Sequence, residues 1–189
     1  MNYNKSIWAI CILASTSPMT LVKAADNIDQ LREQSVVLIR SGEVEQGLKQ
    51  LRNLLAQQPK IHKLIADYIV SAYAHQKLTA SDLSCLQSIN VQNFPEYAWL
   101  SVVKGQRDLK QFVAAAKWAD IFYQQSQQQQ WLVWQGVLNA EAGQTAVAKQ
   151  KLAQIKKDQL SPDYLAQMSY AYRVLNMPVE ALQIAQDAL

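Results

Sequence analysis

The most reactive side chains of this 189-residue chain are two histidines and two cysteines. His62 and His75 stand 13 residues apart, whereas two imidazoles sharing a metal from one helix face need a separation of about four. Each therefore reads as a surface or packing side chain. Cys85 carries a thiol, but a nucleophilic cysteine needs a nearby base or a helix start to favour the thiolate. Its flanks, Leu83-Ser84 and Leu86-Gln87, suggest neither, so a buried, idle thiol is expected. The sequence has no Gly-rich phosphate loop, no serine elbow and no close carboxylate pair in apolar surroundings, the patterns that hold phosphate or divide acid and base roles. No catalytic residue, metal site or cofactor is expected, and the chain does not read as an enzyme.

Recognition chemistry is better represented. Arg40, Tyr97, Lys104, Arg107, Glu141, Tyr170 and Arg173 combine guanidinium, ammonium, carboxylate and phenol groups, which hydrogen-bond along an extended peptide or a polar polymer when they share a face. The alternative role for them is solvated surface. Trp99, Trp118, Trp131 and Trp134 fall within 36 residues. Large aromatics on helices chiefly fill space between neighbours, although an exposed ring stacks on a sugar or a peptide anchor.

The elements that must position these groups are helical. Half of the residues are hydrophobic and 17% are charged, enough apolar material for a continuous core. Gly and Pro number only five each, a composition that favours helices over turn-rich sheets. An all-α fold follows. The formal charge is +3, with the basic residues scattered among Gln, Glu and Asp, so nucleic acid is not the expected partner.

Residues 1–24 read as a signal peptide: Lys5 in a polar start, an apolar run from Ile7 to Ala14, and Val22-Lys23-Ala24 before the expected cleavage at Ala25. The run is too short to span a bilayer core of about 30 Å. Ile10 precedes Cys11, which disfavours lipidation. Without its leader the chain keeps Cys85 alone, leaving no internal disulfide to form. The helical pattern continues to Leu189 without a capping Gly or Pro, so a longer protein truncated at this point is expected.

Internal spacing points to helical hairpins. Small residues recur 12 apart where two helices of a hairpin would cross closely: Ser35 and Gly47, Gly136 and Ala148, Ser169 and Ala181. Between the partners lie the turn segments Ser41-Gly42-Glu43, Gly143-Gln144-Thr145 and Asn176-Met177-Pro178. Leu51 and Leu54, Leu152 and Ile155, and Ala185 and Ala188 follow as core positions. Trp99, Val102 and Val103 with Phe112, Ala115, Ala119 and Phe122 supply a further hairpin. Residues 62–95, with Tyr68, Tyr73, Leu78, Leu83 and Leu86, are assigned one by register. Units of 28–61, 62–95, 96–128, 129–161 and 162–189 start 34, 34, 33 and 33 residues apart, the period of tetratricopeptide repeats. Such units stack through nearest-neighbour interfaces. The expected fold is a right-handed solenoid over residues 25–189, whose groove is lined by the first helix of each hairpin and carries the seven residues above. The tract Gln124–Gln130 reads as an inter-repeat linker. An unrelated helical bundle is the competing reading of the same apolar pattern.

An export signal followed by these repeats resembles the N-terminal periplasmic region of the outer-membrane porin that exports poly-β-1,6-N-acetylglucosamine, a biofilm polysaccharide. The resemblance rests on Leu38-Ile39-Arg40-Ser41-Gly42, the helix around Trp99, and Trp131 to Ala148 with its Gly143 turn. It implies a periplasmic scaffold that recruits a polysaccharide deacetylase and guides the partly deacetylated β-1,6-linked glucosamine polymer towards a C-terminal barrel. This chain departs from the family in lacking the alternating apolar segments of a barrel, so any link to the outer membrane would run through that missing part. It departs again in a groove where Arg and Lys outnumber Glu, which suits a protein partner better than a cationic polymer. The second reading is a repeat-containing assembly factor for cell-envelope complexes.

Overall fold

The computed structural model describes residues 18–188. Residues 1–17, which hold most of the expected leader and Cys11, lie outside the described residues. Among the described residues the fold is all-helical: α1 (Pro18–Arg40), α2 (Val44–Gln57), α3 (His62–Ala74), α4 (Trp99–Asp108), α5 (Phe112–Ser126), α6 (Gln129–Glu141), α7 (Thr145–Ala153), α8 (Pro162–Val174) and α9 (Pro178–Asp187), with short 3-10 segments between them. Helix α1 is continuous across Ala24 and Ala25. No helix among the described residues is long and apolar enough to cross a membrane.

Each helix packs chiefly on its neighbours in sequence, and α6 packs on α8 as well. Helices α1, α3, α4, α6 and α8 end in the same way. A residue with positive φ follows the last turn: Gly42 (99°), Gln76 (57°), Lys110 (58°), Gly143 (73°) and Asn176 (55°). The next residue then donates its N–H back five positions, as Glu43 to Leu38, Lys77 to Ala72, Gln111 to Gln106, Gln144 to Asn139 and Met177 to Tyr172, at 2.8–2.9 Å. This closes the carbonyls that a helix end leaves unpaired and reverses the chain. These five residues are separated by 34, 34, 33 and 33 positions; the sixth residue with positive φ among the described residues, Gln127, ends α5 and lies outside the series. We call the helices that precede these turns the first helices.

Small residues let the reversed helices approach. A Cβ on Gly47 would lie 2.6 Å from the Ser35 carbonyl oxygen and 2.5 Å from Ile39 Cγ1, so α1 and α2 cross at their backbones. Ser169 donates its hydroxyl to the Ala181 carbonyl at 2.7 Å, joining α8 to α9. Gly136 faces the Leu152 side chain across α6 and α7. The four tryptophans Trp99, Trp118, Trp131 and Trp134 are all buried. Trp99 stacks on Phe122 with centroids 4.4 Å apart, and Trp131 meets both rings at 5.9 and 5.2 Å, knitting α4, α5 and α6 together.

Three expectations need correction. Residues 62–95 do not form two α-helices. After the Gln76 turn the chain enters a 3-10 helix at Asp82–Ser88 and a second at Val91–Asn93. One carboxylate ties the segment down both locally and to α3: Asp82 Oδ2 accepts from the Thr79 backbone N–H (2.9 Å) and from the Thr79 hydroxyl (2.7 Å), while Asp82 Oδ1 accepts from the buried Tyr68 hydroxyl (2.6 Å). Such short side-chain bonds compete with the α-helical ladder. The glutamine tract is mostly helical, since Gln124 to Ser126 end α5 and Gln129 begins α6. Only Gln127, at φ 56°, and Gln128 link them. In α9, Ile184 is the buried core residue, with Leu165 and Met168 of α8 in its cluster, whereas Ala188 packs half-buried at the edge of that cluster and Ala185 is half-buried.

Candidate functional site

The first helices carry six of the seven residues that the sequence marks for recognition, Tyr97 lying in the 3-10 segment Glu96–Ala98 just before α4, and the structure sorts the seven into two groups. Arg107, on α4, binds the Glu141 carboxylate of α6 through Nε to Oε2 (2.8 Å) and Nη2 to Oε1 (2.5 Å). Tyr170, on α8, donates its hydroxyl to the same Glu141 Oε1 at 2.9 Å. The Arg107 guanidinium lies 5.8 Å from the Trp134 ring centroid and 5.6 Å from that of Tyr170. Arg173 covers Tyr170 at 5.7 Å, and Lys104 sits 6.0 Å from Trp134. These six residues form one strip of cations and ring faces across α4, α6 and α8. The Glu141 ion pair and the neighbouring phenol, outweighing desolvation, hold the Arg107 pKa above its ordinary value. Donation to Glu141, followed by burial, pushes the Tyr170 phenol up.

Arg40 and Tyr97 belong to the second group, which they share with Arg32, Lys63 and Asp67 around a cleft of about 550 Å³. Buried Arg32 on α1 and the Tyr97 hydroxyl both bond the Asp67 carboxylate of α3. Burial, and then donation to Asp67, pushes the Tyr97 phenol up. The two groups share one plan, in which an arginine, a carboxylate and a tyrosine from three successive first-helix segments join at the carboxylate. Arg32 and Asp67 take part without having been marked by sequence, and Trp134, expected as a space-filling ring, backs the first group. Arg32 and Asp67 are 35 residues apart, and that opposite-charge interval, close to the 34-residue spacing of the turns, was the available signal.

Among the described residues no carboxylate pairs with Arg40, Lys104 or Arg173. Arg107, Glu141, Tyr170 and Tyr97, by contrast, are engaged with one another or with Asp67. Chemically the strip offers its cations and the half-buried Tyr170 to an extended polar ligand, while buried Trp134 backs Lys104 and Arg107 from within.

The reactive side chains are dispersed. His62 opens α3 and His75 follows its end. The Cys85 thiol donates to the Asp82 carbonyl at 3.0 Å, and burial pushes its pKa up. Among the described residues, no three His, Cys, Asp or Glu side chains gather as a metal site would require. No protein-family model, curated protein or solved structure matches this chain.

Proposed function

We propose that this chain is a non-catalytic binding scaffold of five stacked tetratricopeptide-like hairpins, wound as a right-handed solenoid, whose first-helix strip receives an extended partner. The observation that carries this reading is the fivefold turn, recurring at 34, 34, 33 and 33 residues with one hydrogen-bond pattern. That interval supports a linear stack in which each unit buries its apolar face on the next. The strip of Lys104, Arg107, Trp134, Glu141, Tyr170 and Arg173 supports a ligand contacted over several units.

The resemblance in Leu38 to Gly42, around Trp99 and through Trp131 to Ala148 supports a place in the periplasm, within the repeat portion of a poly-β-1,6-N-acetylglucosamine exporter that recruits protein partners and guides the polymer. The unpaired cations Lys104 and Arg173 favour the recruitment half of that role, because a deacetylated glucosamine polymer is itself cationic. They equally suit the second reading, an assembly factor for cell-envelope complexes that binds acidic protein segments.

The test is titration of the purified chain with β-1,6-linked glucosamine oligomers and, separately, with a polysaccharide deacetylase of that export system, followed by tryptophan fluorescence and calorimetry. Saturable binding to the deacetylase, weakened by Lys104→Ala or Arg173→Ala, is the expected result. Silence with both ligands overturns the exporter reading and leaves the assembly factor.

A further inference from the structure

The 3-10 helix at Asp82–Ser88 rises about 2.0 Å per residue against 1.5 Å for an α-helix, so the same chain length is drawn out thinner. Beside it lies a groove of about 390 Å³, within the size range of ligand sites. Leu83, Leu86, Ile89 and Val91 line it from the irregular segment, and Trp118 and Ile121 line it from α5. Gln106 also lines it and is only 4% exposed. Among the described residues its side-chain carbonyl has no hydrogen-bond partner. An unpaired buried acceptor destabilises a fold; Gln135 and Gln167 also carry unpaired buried carbonyls, but of the three only Gln106 lines this groove. Exposed Lys117 stands at the same groove, and no carboxylate among the described residues pairs with it.

We propose that this groove binds a short extended peptide from a partner protein, apolar where it is buried and acidic at one flank, with a backbone amide paired to Gln106. A side-chain amide offers both an acceptor and donors, the complement of a peptide group. A purely apolar ligand would leave it unpaired. A helix has already spent its own N–H groups internally, whereas an extended segment keeps them for the host and sends alternate side chains into apolar pockets. Lys117 then meets the acidic flank. The groove shares no residue with the first-helix strip, so it stands or falls independently of that reading.

The experiment is selection of a displayed library of random dodecapeptides on the whole chain, then calorimetry with the synthetic form of an enriched peptide. Enriched sequences are expected to combine apolar residues with Asp or Glu. Gln106→Met, which keeps the shape and removes the amide, should weaken that peptide about tenfold while raising the thermal midpoint, since the unpaired acceptor is gone. Lys117→Glu should weaken it several-fold with the midpoint unchanged. Failure to enrich any sequence, equal affinity for both variants and the parent, or a lower midpoint for Gln106→Met would each overturn the proposal.

Discussion

Arg107 grips Glu141 through two charge-assisted hydrogen bonds across 34 residues of sequence, and Tyr170 closes on the same carboxylate from the opposite neighbour. Arg32, Asp67 and Tyr97 repeat the plan nearer the N-terminus. In both cases one carboxylate ties three successive segments, so it braces the helices as well as shaping the face they present.

Replacing Glu141 should therefore be felt in stability before binding. Its side chain is 11% exposed and that of Arg107 30%, so Glu141→Gln leaves a partly buried guanidinium without its anion. The expected loss is about 1.5–3 kcal/mol, the range for hydrogen bonds to charged groups. Urea unfolding of Glu141→Gln, Arg107→Met and the double variant should give a coupling energy of roughly 1–2 kcal/mol. Additive single effects would mean that the pair does not brace the stack.

The left-handed turns predict the opposite sign. Gln76 and Lys110 adopt positive φ with a side chain attached, and both are exposed. Left-handed backbone costs a non-Gly residue about 1–2 kcal/mol, while Gly adds about 0.5–1 kcal/mol of unfolded-state entropy. Lys110→Gly and Gln76→Gly should each stabilise by about 0.5–1 kcal/mol. At Gly143, where an added Cβ would meet nothing within 4 Å, Ala should lower stability by about 1 kcal/mol through the backbone alone. Thermal midpoints read both, at roughly 2–4 °C per kcal/mol for a chain of this size.

These turns also show what was legible in the sequence. Gly42 and Gly143 announce a chain reversal because glycine is the usual residue at positive φ, and Asn176 before Pro178 does so more weakly. Gln76 and Lys110 give no such signal, since there the helix packing imposes a conformation that the residue itself disfavours. The pair Ser169 and Ala181 was readable as a close crossing, and the structure adds the hydrogen bond. The 3-10 path after Gln76 was not readable, because it depends on Asp82 reaching Tyr68, 14 residues back. The seven recognition residues could be named one by one, but the division into an Arg107 strip and an Asp67 cleft required Arg32, Asp67 and Trp134, whose roles arise only when successive segments are placed side by side.

Two glycines that look alike in sequence should respond differently to a single methyl group. At Gly47 the methyl would press on the Ser35 backbone carbonyl, which cannot move without displacing α1. Gly47→Ala should cost about 2–3 kcal/mol, the upper range for overpacking. At Gly105 the nearest obstacle is the end of the Leu78 side chain, which can change rotamer. Gly105→Ala should cost about 1 kcal/mol or less. Equal losses in chemical denaturation would count against a backbone crossing of α1 and α2.

The pair that pins the irregular segment sets limits at both ends of the pH scale. Burial works to raise the Asp82 carboxyl, but the bonds from Tyr68 and Thr79 and the charge of Arg52 outweigh it, leaving its pKa below the ordinary carboxylate value. A depressed folded pKa means the stabilisation is complete above the unfolded value of about 3.9 and is lost as pH falls through the folded one. Tyr68 is pushed up to about 12 by burial and by donation to Asp82. Its contribution is complete below the unfolded value of about 10 and disappears as pH rises through the folded one. Asp82→Asn should flatten the acid limb of a urea-midpoint profile, and Tyr68→Phe should flatten the alkaline limb. Phenolate absorbance should show several tyrosines fewer ionising near pH 10 in the parent than in urea-unfolded chain, since Tyr97 and Tyr170 are pushed up along with Tyr68. If Asp82→Asn leaves the acid limb unchanged, the carboxylate does not hold the 3-10 segment, and Thr79 and the apolar contacts of Leu83 and Leu86 must suffice.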